Sequence, residues 1–188
     1  MSDSKVHLFV DNSNVKIEGQ RVSYARRRNG GQRCELTDPS YEIDWGKFVH
    51  LVRSRGNRTL AQSPYLYGSR PPPDDSVWQE IRKEGYEVVL FDRNGRNQEK
   101  CVDNELGMDV AERTLLVKPP ATIVIAAGDE DFLGAVQRAK DRGWVVEVWF
   151  WGHANQKLQK AVGDSFVNLD KFCEYLKKGG GVALPPSF

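Results

Sequence analysis

Val6-His7-Leu8-Phe9-Val10-Asp11-Asn12-Ser13-Asn14 reads as a short buried strand that stops at an aspartate. A second run, Thr122-Ile123-Val124-Ile125-Ala126-Ala127, ends the same way, in Gly128-Asp129-Glu130-Asp131-Phe132. Continuous apolar runs of this length mark strands of a parallel sheet covered on both faces. Open α/β sheets bind ligands beyond the carboxyl ends of their strands, at a topological switch point. If the two strands are neighbours, Asp11, Asp129 and Asp131 converge on one small volume. Three carboxylates there repel one another unless they are protonated or neutralised. A hard divalent cation that prefers oxygen ligands, Mg²⁺ or Mn²⁺, is the simplest neutraliser. Such a centre points toward phosphodiester chemistry.

Outward from these two runs, strands alternate with helices, which predicts an α/β fold with a mainly parallel sheet. Lys16 to Ser40 reads as a long polar loop. Asp44 is an expected N-cap for a helix over 45–55, with Trp45, Phe48, Val49 and Val52 on one face. Residues 60–67 and 86–91 are further strands, with a helix between them closed by Gly85. Residues 100–117 have a helical pattern, stopped by Pro119-Pro120. Residues 132–142 form a helix and 144–151 a fifth strand. Short helices over 155–162 and 170–178 follow. One domain over 1–178 and a flexible glycine-rich tail over 179–188 are expected.

Composition narrows the function classes only in part. Lys and Arg number 27 and Asp and Glu 26, a net charge of +1 that says nothing about partners. Three scattered cysteines with no CxxC spacing argue against a disulfide framework or a zinc site. The N-terminus lacks the apolar core of a signal peptide, and no run approaches a membrane span. A cytoplasmic or nuclear protein is the expectation.

The 100–117 segment adds a third acidic group. Asp103 and Asp109 are six residues apart, so on a helix they diverge by about 120°. Their rise differs by roughly 9 Å. They need not share an ion. Lys100 lies one turn before Asp103, about 60° round the helix, where it can face the strand ends and hold a phosphate or the carboxylate. Each aspartate alone has a plain reading as a helix cap or turn former. The Gly128-Asp129-Glu130-Asp131 group after a fully apolar strand favours function, because close acids cost stability.

Taken together, Asp11-Asn12-Ser13-Asn14, Lys100-x-x-Asp103 with Asp109, and Gly128-Asp129-Glu130-Asp131-Phe132 resemble the NYN domains of the PIN-like superfamily of metal-dependent ribonucleases, in the LabA-like branch. The resemblance spans about residues 5 to 176. It implies a three-layer α/β/α fold with a five-stranded parallel sheet. It implies Mg²⁺ or Mn²⁺ held by Asp11, Asp103, Asp129 and Asp131, with Asp109, a second helical aspartate, as a further catalytic candidate, and Asn14 ordering the first loop or touching a ligand. Two departures stand out: Ala127, where the family often has a small hydroxyl residue, and the length of the 16–40 segment.

The expected partner is single-stranded RNA, with oligomeric state open and a homodimer among the options. Six basic residues and one acid lie between Lys16 and Arg33. Arg26, Arg27 and Arg28 there, with Arg70, Arg93 and Arg96 in later loops, would form a phosphate-binding arc around the acidic centre. The plain alternative is that these arginines are simply solvated. Tyr24, Tyr65 and Tyr67 are candidates for base stacking. His153 is the one histidine expected near the pocket rim. A haloacid-dehalogenase-like phosphatase fits less well, since Ser13 and Leu133 stand where that family wants acids. A dinucleotide-binding domain lacks its glycine fingerprint. The serious alternative is a catalytically weak or inactive RNA-binding or scaffold protein.

Overall fold

In a computed structural model, residues 4–28, 30–70, 75–92, 101–119 and 121–184 are described. Lys100, Arg93 and Arg96 lie outside them, as does the Arg70 side chain. The chain begins with β1 (Lys5–Asp11) and passes directly into α1 (Asn12–Arg28). Then come α2 (Trp45–Ser54), β2 (Thr59–Leu60), β3 (Tyr65–Arg70), α3 (Ser76–Lys83) and β4 (Glu87–Asp92). The second half holds α4 (Val102–Leu116), β5 (Thr122–Ala126), α5 (Leu133–Asp141), β6 (Val145–Phe150), α6 (Gln156–Val162), β7 (Phe166–Asn168) and α7 (Cys173–Leu176).

All strands pair in parallel, in the order β4-β3-β1-β5-β6-β7. The short β2 pairs with the first residues of β1, beside β3 on the same edge. The sheet therefore has seven strands rather than the expected five. Residues 60–67 are two strands, β2 and β3, broken at Ser63-Pro64, and β7 is new. Strands of two and three residues are too short to show a period in the sequence. Helices cover both faces. α4, α5 and α6 pack in series against β1, β3 and β6, while α1, α2 and α7 pack together. The cover explains why β1, β5 and β6 are buried almost without alternation.

The largest departure from expectation is α1. The stretch read as a loop is helical as far as Arg28. Its buried residues are Asn12, Val15, Gly19, Ser23 and Ala25, so the inward stripe past Val15 is small rather than strongly apolar and gives no clear hydrophobic period. The close approach has a cause. A Cβ on Gly19 would lie 2.6 Å from the Trp151 ring and 3.0 Å from Tyr41, both fully buried. The indole Nε1 of Trp151 donates to the Val15 carbonyl at 2.9 Å, pinning the helix to the end of β6. Gly19→Ala therefore tests two opposed effects. Helix propensity gains about 1 kcal/mol, while overpacking costs about 1–3 kcal/mol. We expect net destabilisation in urea melts; a more stable variant would show that α1 does not lie against Trp151.

The Asp44 side chain accepts from Lys47 N at 2.9 Å and caps α2 as expected. Lys47 Nζ reaches the Gly180 carbonyl at 2.6 Å, so the start of the C-terminal segment touches α2.

Candidate active site at the sheet switch point

β1 feeds successive strands on one side, toward β3 and β4, and the chain then crosses to β5 and continues the other way. The switch point thus lies between β1 and β5, whose register pairs Val10 with Ala126. Asp11 ends the first strand and Asp129 follows the second by three residues. Both line an open cavity of about 350 Å³, together with Ser13, Asn14, Glu18 and Asp103.

Asp11 is only 3% exposed. Its Oδ1 accepts from Ser13 Oγ at 3.1 Å and from Asn14 N at 3.0 Å, so the first turn of α1 fixes the carboxylate. Asn14 reaches across the switch point. Its Oδ1 accepts from Gly128 N at 3.0 Å, and its Nδ2 donates to Asp129 Oδ2 at 2.5 Å. One amide thereby ties the β1 end to the β5 end. Gly128 is needed beside it, because a Cβ there would come 2.1 Å from the buried Phe150 ring.

The electrostatics show that the acids sense one another. Burial, then the Asp103 charge, push the Asp129 carboxyl above its ordinary value; Asn14 opposes this, while Asp131 and Glu18 add to it. Asp103 stands in the first turn of α4, where the helix N-terminus favours a carboxylate. Asp131, expected with the other three, lies in the 3-10 turn Glu130–Phe132 just past Asp129 and does not line the cavity, though its charge is felt by Asp129. Glu130 points away, to Lys157 and Asn155. Asp109 is not part of the cavity wall. Its Oδ2 accepts from the Tyr67 hydroxyl at 2.6 Å, which ties α4 to β3.

Glu18 was not legible as a site residue, because it stood as one acid among basic neighbours. Once α1 is known to be a helix, Asn14 and Glu18 are i and i+4 on one face. Burial pulls the Glu18 carboxyl upward. His153, whose Nε2 lies 2.6 Å from Glu18 Oε2, and Arg21 outweigh this and hold it below the usual range. His153 is therefore at the rim, as expected, but engaged with Glu18. His7 is buried against Trp144, and burial lowers its pKa to about 4.

The basic arc is redistributed. Arg26, Arg27 and Arg28 lie about 18–21 Å along α1 from Asn14. Arg21 pairs with Glu18 and Glu35, and Arg27 lies 3.7 Å from Asp38. Tyr67 is fully buried and cannot stack on a base; half-buried Tyr65 stacks on Phe9 and Tyr67.

Residues 5–170 match the NYN domain family. This chain belongs to the NYN family. NYN domains are part of the PIN-like superfamily, so the chain carries a PIN-like nuclease fold. Among solved structures, a protein of unknown function from Vibrio parahaemolyticus RIMD 2210633 is similar to this NYN chain. Its TM-score is 0.65 at 18% identity, covering 89% of this chain and 93% of that one. At that identity the likeness speaks for the fold. Among curated proteins, none matches the sequence. Among the described residues, no helix is long and apolar enough to cross a membrane.

PIN-like nucleases typically use divalent metals. The donors at this switch point are carboxylate oxygens, which suit a hard cation rather than a thiophilic one. The part of the upward push on Asp129 that comes from Asp103 and Asp131, after burial, is the repulsion such a cation would relieve. Among the described residues, however, no three acid, His or Cys side chains are already gathered closely enough to hold an ion.

Proposed function

We propose that this NYN chain is a metal-dependent ribonuclease that hydrolyses phosphodiester bonds of single-stranded RNA at the β1/β5 switch point. The carrying observation is the placement of Asp11, Asp103 and Asp129 around one open cavity, with Asp129 raised by its burial and its acidic neighbours. Asp11, Asp103, Asp129 and Asp131 would hold Mg²⁺ or Mn²⁺. Bound there, the ion supplies a water of lowered pKa and neutralises charge developing on the phosphate.

The chain's own residues do the positioning. Ser13 and the Asn14 amide N–H fix the Asp11 carboxylate. The Asn14 side chain holds the Asp129 loop in register with it. Tyr67 and Asp109 hold α4, and hence Asp103, against the sheet. Glu18 is engaged by His153 and Arg21, which leaves it a wall of the cavity rather than a proton carrier. Openness to solvent suits an extended strand more than a small enclosed substrate. The expected result with Mn²⁺ is faster cutting of labelled single-stranded RNA than of the matched duplex or DNA; a preference for either of those would overturn the substrate assignment.

The second reading, an RNA-binding or scaffold protein with little activity, is favoured by the ungathered state of the acids. RNA binding without cutting in any metal would establish it.

A further inference from the structure

Behind the acidic cavity lies a second cleft of about 330 Å³, lined among others by Arg21, Arg26, Arg33, Gly152, His153 and Asp170. Arg21 is a wall of both. Glu18, which lines the acidic cavity, contacts Arg21, Arg33 and His153 of the other, so this one carboxylate partitions the two. Three arginines face one aspartate there, and that aspartate is engaged: Asp170 Oδ1 accepts from Gly152 N at 3.2 Å.

The arginines are not neutralised alike. Arg26 donates to the backbone carbonyl of Asp170 at 2.5 Å, a contact that orients the guanidinium and leaves its charge uncancelled. Arg33 is half exposed, and its Nη2 lies 3.4 Å from Glu18. Glu18 is shared with Arg21 and His153 at shorter distances, so this long contact is the one most readily exchanged for another anion. A forked, oriented guanidinium beside an exchangeable one suits phosphate, which accepts two parallel N–H groups. The other end of the path is the cavity where a phosphodiester would be cut.

We propose that this cleft binds backbone phosphate of the same RNA strand, a few nucleotides from the scissile bond, with Arg26 as the anchor and Arg21 as the bridge between the clefts. The proposal rests on the ribonuclease reading for the identity of the strand. It explains why the arginines of α1 stand far along the helix from Asn14 rather than at the acids themselves.

The test reads binding apart from cleavage. Fluorescence anisotropy of a fluorescein-labelled oligouridylate of about 12 nucleotides would be measured in EDTA, across a salt series from about 50 to 200 mM. Arg26→Gln should weaken binding about tenfold and reduce the salt slope by about 0.7, the value of one single-strand phosphate contact. Arg33→Gln, which breaks no backbone contact, should weaken it several-fold and decides the matter if Arg26→Gln does not fold. Arg53→Gln, on the surface of α2 and lining neither cleft, should change nothing. Equal weakening by all three variants, or by none, would overturn the cleft. So would displacement by uridine monophosphate at the oligonucleotide's own concentration, which would mark a mononucleotide site. Arg26-dependent binding without any cutting would sink the ribonuclease reading alone, and cutting indifferent to Arg26 and Arg33 would sink the cleft alone.

Discussion

Asp129→Asn should abolish the proposed RNA cleavage and raise the melting temperature of the metal-free chain. The activity loss should be on the order of 10³-fold, the scale of removing one pre-placed charge stabiliser from an active site. The stability gain follows from the same carboxylate. Its pKa is raised above 3.8, first by burial and then by Asp103. The folded chain therefore binds that proton more tightly than the unfolded chain does. Below the unfolded value both states are protonated and nothing is lost. As pH rises through the raised value, the native carboxylate ionises against its neighbours and stability falls. Asparagine never ionises, and its oxygen can still accept from Asn14 Nδ2. In EDTA at neutral pH the variant should thus melt higher than the wild type, and the difference should vanish near pH 3. A lower melting temperature, with activity retained, would mean that Asp129 is an ordinary loop residue.

Arg58→Met should lower stability by about 3 kcal/mol, the lower end of the cost of breaking a buried ion pair, because Arg55 stays within reach of the same carboxylate. Glu147, on β6, is 3% exposed. It accepts from Arg58 Nη1 at 3.0 Å and Nη2 at 2.6 Å, and from Trp149 Nε1 at 2.8 Å. Arg55 lies farther away, at 3.6 Å. With the short β2 beginning next to it, Arg58 ties the α2–β2 connection to the far side of the sheet. For a chain of this size the loss corresponds to a melting temperature lower by roughly 10 °C. Adding Glu147→Gln removes the buried charge that Arg55 alone would then hold, while keeping an acceptor for Trp149. The double variant should therefore recover much of the loss, and a double variant as unstable as Arg58→Met would show that packing, not charge, is what Arg58 supplies.

The sequence made the switch point readable because Asp11 and Asp129 follow uninterrupted apolar strands, and such strands are a strong local signal. Asp103 was reachable from the helical pattern after residue 100, but Asp109, expected as a further catalytic aspartate, accepts from Tyr67 and does not line the cavity. Three features were hidden for physical reasons. α1 buries the small residues Gly19, Ser23 and Ala25, with Trp151 occupying the space a larger side chain at Gly19 would need, so its inward face carries no clear apolar period. Glu18 gains its place only through that helix. Tyr67 is buried where α4 lies over β3 and its hydroxyl meets Asp109, a contact between residues 42 positions apart that no local pattern reports.

The most direct test of the central claim is cleavage of a labelled single-stranded RNA by the wild-type chain with Mn²⁺, with EDTA, and with Mn²⁺ restored in excess after EDTA. Cutting, then none, then cutting again is the expected result. Cutting that persists in EDTA, or RNA that is bound yet stays intact throughout, would contradict it.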